Sequence, residues 1–372
     1  MAEGRRRATI LAVALVPLLA LAGCSADTAP AIMVGALFPL TGPQSAGARE
    51  EYLGIDIARR MVNEDGGVRG RPVTLVGREL DTRAIAPAAV EGLREERVPV
   101  IIGTYSSELS MPASAAASRA GITYWEAGAV ADRVTGRGLP GVFRVGATGA
   151  NLGASSGRFA LEELAPRLAR RPDQLRVSVV LEDDDYGRSV ADAAIDTVRR
   201  QGAQVAGVSR YDAYHPDWSR VLSEVAAGRP DVLVLASYIG DGVSFRRAML
   251  ASGLHVGALI GSTMAECGPE FGAMLGPDAV GVFASDRPTA GFNAGVLNDG
   301  ARAAHDRFTS LWEAGAGRPP TEEALAGFTA GWALFHDVMP GAPSLDAAGI
   351  AAAARATRLP RGALPNGAGI EF

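Results

Sequence analysis

The 372-residue sequence contains no lysine, and all 36 of its Lys and Arg residues are arginines. Because a lysine amine is missing, Schiff-base chemistry, a pyridoxal phosphate anchor and a P-loop nucleotide site are excluded. The formal net charge of −5 also argues against a nucleic-acid partner, since such a surface needs clustered basic residues. A chain of this length is expected to form about two domains.

Cysteine and histidine are also scarce. The only cysteines are Cys24 and Cys267, so a modified Cys24 would leave Cys267 without a disulfide partner in the chain. The four histidines lie far apart in the sequence and have no cysteine neighbours, unlike the clustered ligands of a zinc site. The sequence therefore predicts neither a metal centre nor a cofactor.

The N-terminal residues 1–23 predict a secretory signal peptide. Arg5–Arg7 precede the apolar stretch Ala8–Gly23, which as a helix would be about 24 Å long and too short to span a bilayer. The segment Leu21–Cys24 (LAGC) resembles a bacterial lipobox, which implies acylation of Cys24 and makes residues 24–30 a tether. The alternative is an ordinary signal peptide with a chance cysteine. We therefore expect an extracytoplasmic lipoprotein at the outer face of the cell membrane.

The rest of the chain alternates apolar strands with amphipathic helices. Predicted strands such as Ala31–Phe38, Val98–Gly103 and Val232–Ser237 alternate with predicted helices such as Arg49–Asn63 and Leu152–Leu168. This alternation is typical of βαβ units and parallel sheets. Two such series predict an α/β protein with two doubly wound parallel-sheet lobes. The last third is mainly helical, and we expect it to pack back on the first lobe.

Two motifs that suggest enzymes lack the required context. Gly136–Gly141 matches G-x-G-x-x-G, but no convincing strand precedes it and Pro140 lies where a helix should begin. Gly153–Gly157 matches G-x-S-x-G, but it lies in a glycine-rich helix start and not in a strand-to-helix elbow. Without a nucleophile and base pair, the sequence predicts a protein that is not an enzyme.

Polar residues at strand ends are the better candidates for a site, because ligands of open α/β sheets bind outside the carboxyl ends of the strands. Ser106 and Ser107 stand at the start of a predicted helix with Glu108 in its first turn. A hydroxyl beside free helix N–H groups suits a carboxylate ligand. The alternative for either serine is a simple helix N-cap.

Several stretches together carry a family resemblance: VGALFPLTGP at 34–43, NEDGGVRGRP at 63–72, IIGTYSS at 101–107, GITYWEAGA at 121–129, VFRV at 142–145 and DDYG at 184–187. They resemble the type I periplasmic solute-binding proteins of the leucine/isoleucine/valine class, which are components of ABC importers. The resemblance covers about residues 31 to 372. It implies two lobes joined by three crossover hinge segments, with residues 31–144 and 285–356 in lobe 1 and residues 145–284 and 357–372 in lobe 2.

The resemblance also implies ligand-binding positions. Ser107 corresponds to a serine that holds a ligand carboxylate, and Gly128 to a position whose carbonyl accepts the ligand ammonium. Val130 replaces a threonine and keeps only the backbone donor. Tyr186 and Tyr238 correspond to aromatic positions of the second lobe.

The acid expected to pair with the ligand ammonium would lie near Thr263, where the sequence has no acidic residue. Glu126 and Glu266 are alternative partners for the ammonium. Without such an acid, a neutral amide, a urea-like compound or an aromatic acid would suit aromatic residues such as Tyr105 and Trp125 better.

The function implied is that of a solute-binding lipoprotein that captures a small amphipathic ligand, such as a branched-chain or related amino acid, between its lobes. Its partners would be an ABC permease and the lipid anchor, and the protein would be a monomer that binds no nucleic acid. A ligand sensor that signals without transport is an alternative function.

Overall fold

The computed structural model describes Met1 and residues 29–263, 265, 268–289 and 291–372. The predicted signal peptide, the predicted lipidation site Cys24 and most of the predicted tether lie outside the described residues, as do Cys267 and Glu266. Within the described ranges, no helix combines the length and the apolar character that crossing a membrane would require.

The first sheet contains five parallel strands in the order β2-β1-β3-β4-β5. Their bounds are β1 Ile32–Phe38, β2 Val73–Glu79, β3 Val100–Gly103, β4 Thr123–Glu126 and β5 Val142–Arg144. All four residues of β3 and of β4 are buried, as expected for central strands of a parallel sheet that is covered on both faces. We call this sheet and the helices that pack on it the first lobe.

The second sheet also contains five parallel strands, in the order β10-β9-β8-β6-β7. Their bounds are β6 Arg176–Glu182, β7 Gln204–Tyr211, β8 Val232–Ala236, β9 Ala258–Ser262 and β10 Val282–Ser285. The central strand β8 is buried along its whole length. This sheet and its helices form the second lobe, so the predicted α/β architecture with two parallel-sheet lobes is confirmed.

Helices connect the strands of both sheets and make up most of the last third. They are α1 Ser45–Glu64, α2 Ala86–Glu95, α3 Ser107–Arg119, α4 Arg133–Gly136, α5 Gly149–Arg158, α6 Ala165–Arg167, α7 Asp185–Arg200, α8 Trp218–Gly228, α9 Ile239–Ser252, α10 Pro269–Leu275, α11 Asp299–Ala316, α12 Glu322–Trp332 and α13 Ala347–Ala356.

Two segments that the sequence predicts as single α-helices begin as α-helices and continue as π-helices. The predicted helix Leu152–Leu168 is α5 followed by a π-helical segment, Phe159–Leu164. In the same way, the predicted helix Thr321–Val338 is α12 followed by the π-helical segment Ala333–Val338. The apolar residues still face the core in these segments, so the 3.6-residue pattern does not reveal the wider turns.

Helix α12 returns the chain to the first lobe, where it packs closely on α1. Gly54 of α1 faces the carbonyl of Ala324, and Gly327 of α12 faces the carbonyl of Glu51. A Cβ atom on either glycine would collide with the facing backbone. The two glycines therefore allow the backbones of these helices to lie in direct contact.

The end of the chain lies beside the first sheet. β11 Arg358–Leu359 and β12 Ile370–Glu371 form a small antiparallel pair. The ring of Phe372 lies 5.1 Å from that of Phe143 and 5.4 Å from that of Trp125. Residues 357–372 were expected to belong to the second lobe. Phe372 instead packs on aromatic residues of β4 and β5 in the first lobe.

Candidate functional site

A cavity of about 340 Å³ lies between the two lobes, at the carboxyl ends of their strands. Its volume falls within the range of about 300–1,000 Å³ that is typical of small-molecule sites. Residues of both lobes line it: Pro39, Thr41, Pro43, Gln44, Asp81, Thr82, Tyr105 and Glu108 from the first, and Glu182, Ala213, Tyr214, Tyr238, Ile239, Gly240 and Asp241 from the second. A ligand in this cavity would contact both lobes at once.

A larger hollow, of about 720 Å³, lies beside β5 and the end of the chain. Phe143, Arg355 and Phe372 are among its lining residues, and no strand of the second sheet contributes to it. It is not at the carboxyl edge shared by the two sheets, and the smaller cavity is therefore the candidate site.

In the first lobe, the strand order brings the cavity residues together. Gln44 precedes α1, and Asp81 comes two residues after β2. Tyr105 follows β3, and Glu108 lies in the first turn of α3. Because β2, β1 and β3 are neighbours in the sheet, the segments that follow them meet at one edge.

In the second lobe, Glu182 is the last residue of β6, and Tyr214 follows the neighbouring strand β7. Tyr238 is the N-cap residue of α9, and its N–H donates to Oδ2 of Asp241 at 3.2 Å. The hydroxyl of Tyr238 donates to Oδ2 of Asp184 at 3.2 Å. These bonds fix the ring of Tyr238 at the cavity wall.

Polar contacts join the two lobes around the cavity. The Tyr214 hydroxyl donates to both carboxylate oxygens of Glu108, at 3.1 and 3.2 Å. Further along the cleft, Nη1 of Arg133 lies 2.7 Å from Oδ1 of Asp185. The N–H of Asp132 donates to Oγ of Ser189 at 3.1 Å. The Arg133–Asp185 pair is exposed on the arginine side, and surface ion pairs of this kind contribute little stability individually.

The cavity is strongly acidic. Burial, and after it the nearby Asp184 and Asp241 carboxylates, raise the pKa of Glu182 to about 9. Burial also raises the pKa of Asp184 and of Asp241 to about 6 each, although both accept hydrogen bonds. Among the lining residues that the structure describes, none is an arginine or a histidine. No cation of the lining offsets these carboxylates.

Of the predicted site residues, Tyr105 and Tyr238 line the cavity. Tyr186 lies behind Tyr238, with ring centroids 5.0 Å apart. Its hydroxyl donates to the carbonyls of Ser237 at 3.2 Å and Ser262 at 3.1 Å, which are the residues at the ends of β8 and β9. Tyr186 therefore supports the wall and does not form part of its surface.

Ser107, Ser106, Gly128 and Val130 are outside the cavity lining. Oγ of Ser107 accepts the N–H of Ala131 at 3.0 Å. Ser106 is the N-cap residue of α3, but its buried Oγ has no hydrogen-bond partner in the described part of the chain. The Val130 carbonyl accepts the N–H of Gly149 at 2.7 Å. Ser107 and Val130 thus order the loops at the first-lobe edge.

Glu126 is held by its own loop. Its Oε1 accepts the N–H groups of Ala127, Gly128 and Ala129 at 3.0, 3.1 and 2.9 Å. Its Oε2 accepts the hydroxyl groups of Ser110 and Tyr124. Burial raises the pKa of Glu126 to about 7, although these bonds act against the rise. This arrangement leaves the carboxylate no free lone pair for a ligand ammonium.

Thr263 stands at the position where the family resemblance implies an acid. Thr263 has its Oγ1 buried without a hydrogen-bond partner among the described residues, and the residue does not line the cavity. Glu266 is outside the described residues. Glu182 and Asp241 are the acidic residues by which the second lobe lines the cavity.

A buried ionic cluster lies behind Tyr105, where the chain returns to the first lobe after β10. The Arg287 side chain is only 7% exposed. Its Nη2 lies 3.3 Å from Oε1 of Glu323, and its Nε lies 3.4 Å from Oδ1 of Asp286. Its Nη1 also donates to the carbonyl of Gly128 at 3.4 Å. Arg287 thus connects the crossover segment with the loop after β4.

Most of the lining residues were not predicted as site residues, among them Gln44, Asp81, Glu108, Glu182, Tyr214 and Asp241. Each follows the carboxyl end of a strand or, in the case of Glu182, is the last residue of one. Their position after strand ends is the same signal that identified Ser106 and Ser107 in the sequence. To find Asp81 and Tyr214 in this way, the residues that follow β2 and β7 must also be considered.

Two parallel-sheet lobes with a ligand-sized cavity between facing strand ends define a two-lobed solute-binding protein. The chain belongs to the periplasmic binding protein family, whose family model matches residues 31–369. This is a family of solute-binding proteins, which confirms both the predicted family and the prediction that the chain is not an enzyme.

Individual relatives are similar over nearly the whole chain. The Leu/Ile/Val-binding protein homolog 8 of Brucella abortus is 29% identical over 344 residues, which are 92% of this chain and 84% of the relative. The leucine-binding protein LivK of Thermotoga maritima has the same fold, with a TM-score of 0.75 at 23% identity over 91% of this chain and 90% of that one. A solute-binding protein of R. palustris in complex with benzoate has a TM-score of 0.75 at 22% identity, covering 92% and 89%.

Proposed function

We propose that the protein is the extracytoplasmic solute receptor of an ABC importer, and that it captures a small amphipathic amino acid in the cavity between its lobes. The observation that carries this proposal is the cavity itself, lined by strand-end residues of both sheets. A ligand that contacts both lobes stabilises their closed arrangement, which a membrane permease can recognise. The names of the relatives support an amino acid as the first class to test.

The two ends of an amino acid find complementary groups at the cavity. Glu182 and Asp241 are suitable partners for an ammonium group. The N-terminus of α9, where Ile239 and Gly240 line the cavity, offers free N–H groups to a carboxylate. Tyr105 and Tyr238 supply apolar ring surface for the side chain. We propose these residues, rather than Ser107 and Gly128, as the direct ligand contacts.

The proposal predicts that the purified full-length chain binds at least one solute from a panel of amino acids, amides, ureas and aromatic acids. Calorimetric titration measures the affinity. Tyr238→Ala, which removes a wall of the cavity, is expected to weaken binding by about tenfold or more, equivalent to at least about 1.4 kcal/mol. Phe159→Leu, on the second lobe but outside the cavity lining, is the matched control and should bind normally. Absence of binding across the whole panel would contradict the proposed function.

We also propose that Cys24 carries the lipid that anchors the receptor, because LAGC at 21–24 follows the pattern of a lipobox. Cells that express the protein should incorporate a labelled fatty acid into it, and Cys24→Ser should abolish the label and release the protein from the membrane fraction. Cys267→Ser is the matched control and should keep the label. Equal labelling of the wild type and Cys24→Ser would refute the anchor.

A further inference from the structure

The charged side chains of the cavity lining are all acidic. Carboxyl groups come from Asp81 and Glu108 on one lobe and from Glu182 and Asp241 on the other. Gln44 adds a buried amide oxygen that has no hydrogen-bond partner among the described residues. A ligand that carries several N–H donors would match these oxygen atoms.

Glu182 is the group that most directly points to a ligand. It is 7% exposed, it lines the cavity, and its buried Oε2 has no hydrogen-bond partner in the described part of the chain. An ionised Glu182 without a partner would be costly to bury, so in the empty cavity the side chain keeps its proton, and a cation bound in the cavity would favour the ionised carboxylate.

The neighbouring acids do not share this property. Asp241 accepts the hydroxyl of Tyr211 and the N–H of Tyr238. Asp184 accepts the N–H of Gly187 at 2.7 Å and the hydroxyl of Tyr238 at 3.2 Å. Glu182 therefore has unused acceptor capacity, while the acids around it add negative potential.

Aromatic rings complete the arrangement. Tyr105, Tyr214 and Tyr238 line the same cavity as the carboxyl groups. The faces of aromatic rings carry negative potential and attract organic cations. Acids and ring faces in one small cavity are complementary to an amine or a guanidinium group.

We infer that the cavity selects a ligand with a net positive charge, such as a basic amino acid or a diamine, with Glu182 as its principal counter-charge. This inference rests on the proposed function, because it assumes that the cavity is the solute site. A neutral branched-chain amino acid would bring only one ammonium group to several carboxyl groups, whereas a basic amino acid or a diamine brings a second cationic group. A metal ion is a weaker match, since no three Asp, Glu, His or Cys residues among those described form a group that could hold one.

The test compares L-arginine, putrescine, L-leucine and benzoate by calorimetric titration of the full-length chain at pH 8. We expect arginine or putrescine to bind at least about tenfold more tightly than leucine and benzoate. Glu182→Gln is expected to weaken binding of the preferred cation by about ten- to a hundredfold. Glu162→Gln, an exposed acid of the same lobe, is the matched control and should bind as the wild type does.

The relative affinities of the wild type for the four ligands test the inferred ligand class even if Glu182→Gln fails to fold. Tighter binding of leucine or benzoate than of both cations would overturn the cationic class while leaving the proposed solute receptor intact. Unchanged cation affinity in a folded Glu182→Gln variant would overturn the role of Glu182. No binding of any of the four, or of the wider panel, would instead overturn the proposed function.

Discussion

Replacing Arg287 with methionine is expected to lower the free energy of unfolding by about 3–5 kcal/mol, the usual cost of removing one partner from a buried ion pair. Arg287 lies within 3.3 to 3.4 Å of carboxylate oxygens of Glu323 and Asp286. Glu51 is also buried nearby, and neither of its carboxylate oxygens has a hydrogen-bond partner among the described residues. Methionine fills most of the volume but leaves these acids without their cation.

The midpoint of urea unfolding measures this loss, with the slope used to check that the unfolding reaction is unchanged. Arg302→Met is the matched control, because its partner Asp299 is fully exposed and such pairs contribute about 0–1 kcal/mol. Adding Glu323→Gln to Arg287→Met should recover part of the loss by removing one unpaired charge. A loss from Arg287→Met as small as that from Arg302→Met would show that the buried cluster is not held by its arginine.

The fold could be predicted because its strands are short apolar runs separated by amphipathic helices. The predicted strand Val232–Ser237 is observed as Val232–Ala236, and the predicted helix Arg49–Asn63 lies within α1, Ser45–Glu64. The π-helical segment Phe159–Leu164 could not be predicted, since its apolar residues still follow a helical pattern. Helix α10 was also missed, because its seven residues are too few to show periodicity.

The candidate site was predicted less completely, for a different physical reason. Tyr105 and Tyr238 could be identified because they directly follow apolar strands. Both Glu126 and Glu182 are the last residue of a buried strand. The sequence could not show that their hydrogen bonding differs. Three loop N–H groups fold back on Glu126, whereas Oε2 of Glu182 has no partner among the described residues. Whether a carboxylate is paired depends on the path of the loop that follows, which residue types alone do not specify.

The stability of the ligand-free protein is expected to fall as the pH rises from 5 to 8. Glu182 has its pKa raised to about 9 by burial and by Asp184, Asp241, Glu108 and Asp212, in that order. In this range native Glu182 keeps its proton, while in the unfolded chain it has lost it. The native state therefore binds more protons, and each pH unit removes about 1.4 kcal/mol through this group alone. The stability that Glu182 contributes by keeping its proton is fully present below the ordinary glutamate pKa. It is lost as the pH rises through the native pKa of about 9.

Glu182→Gln isolates this contribution, because glutamine keeps the shape of the side chain but does not titrate. Unfolding in urea at pH 5, 6, 7 and 8 should give a slope of stability against pH that is shallower than that of the wild type by about 1.4 kcal/mol per unit. Glu162→Gln, which is exposed, should leave the slope unchanged. An equal slope in Glu182→Gln and the wild type would show that Glu182 ionises near its ordinary pKa. A bound cation should have an effect similar to that of the variant, since pairing with Glu182 favours the ionised carboxylate and removes the proton difference between the native and unfolded states.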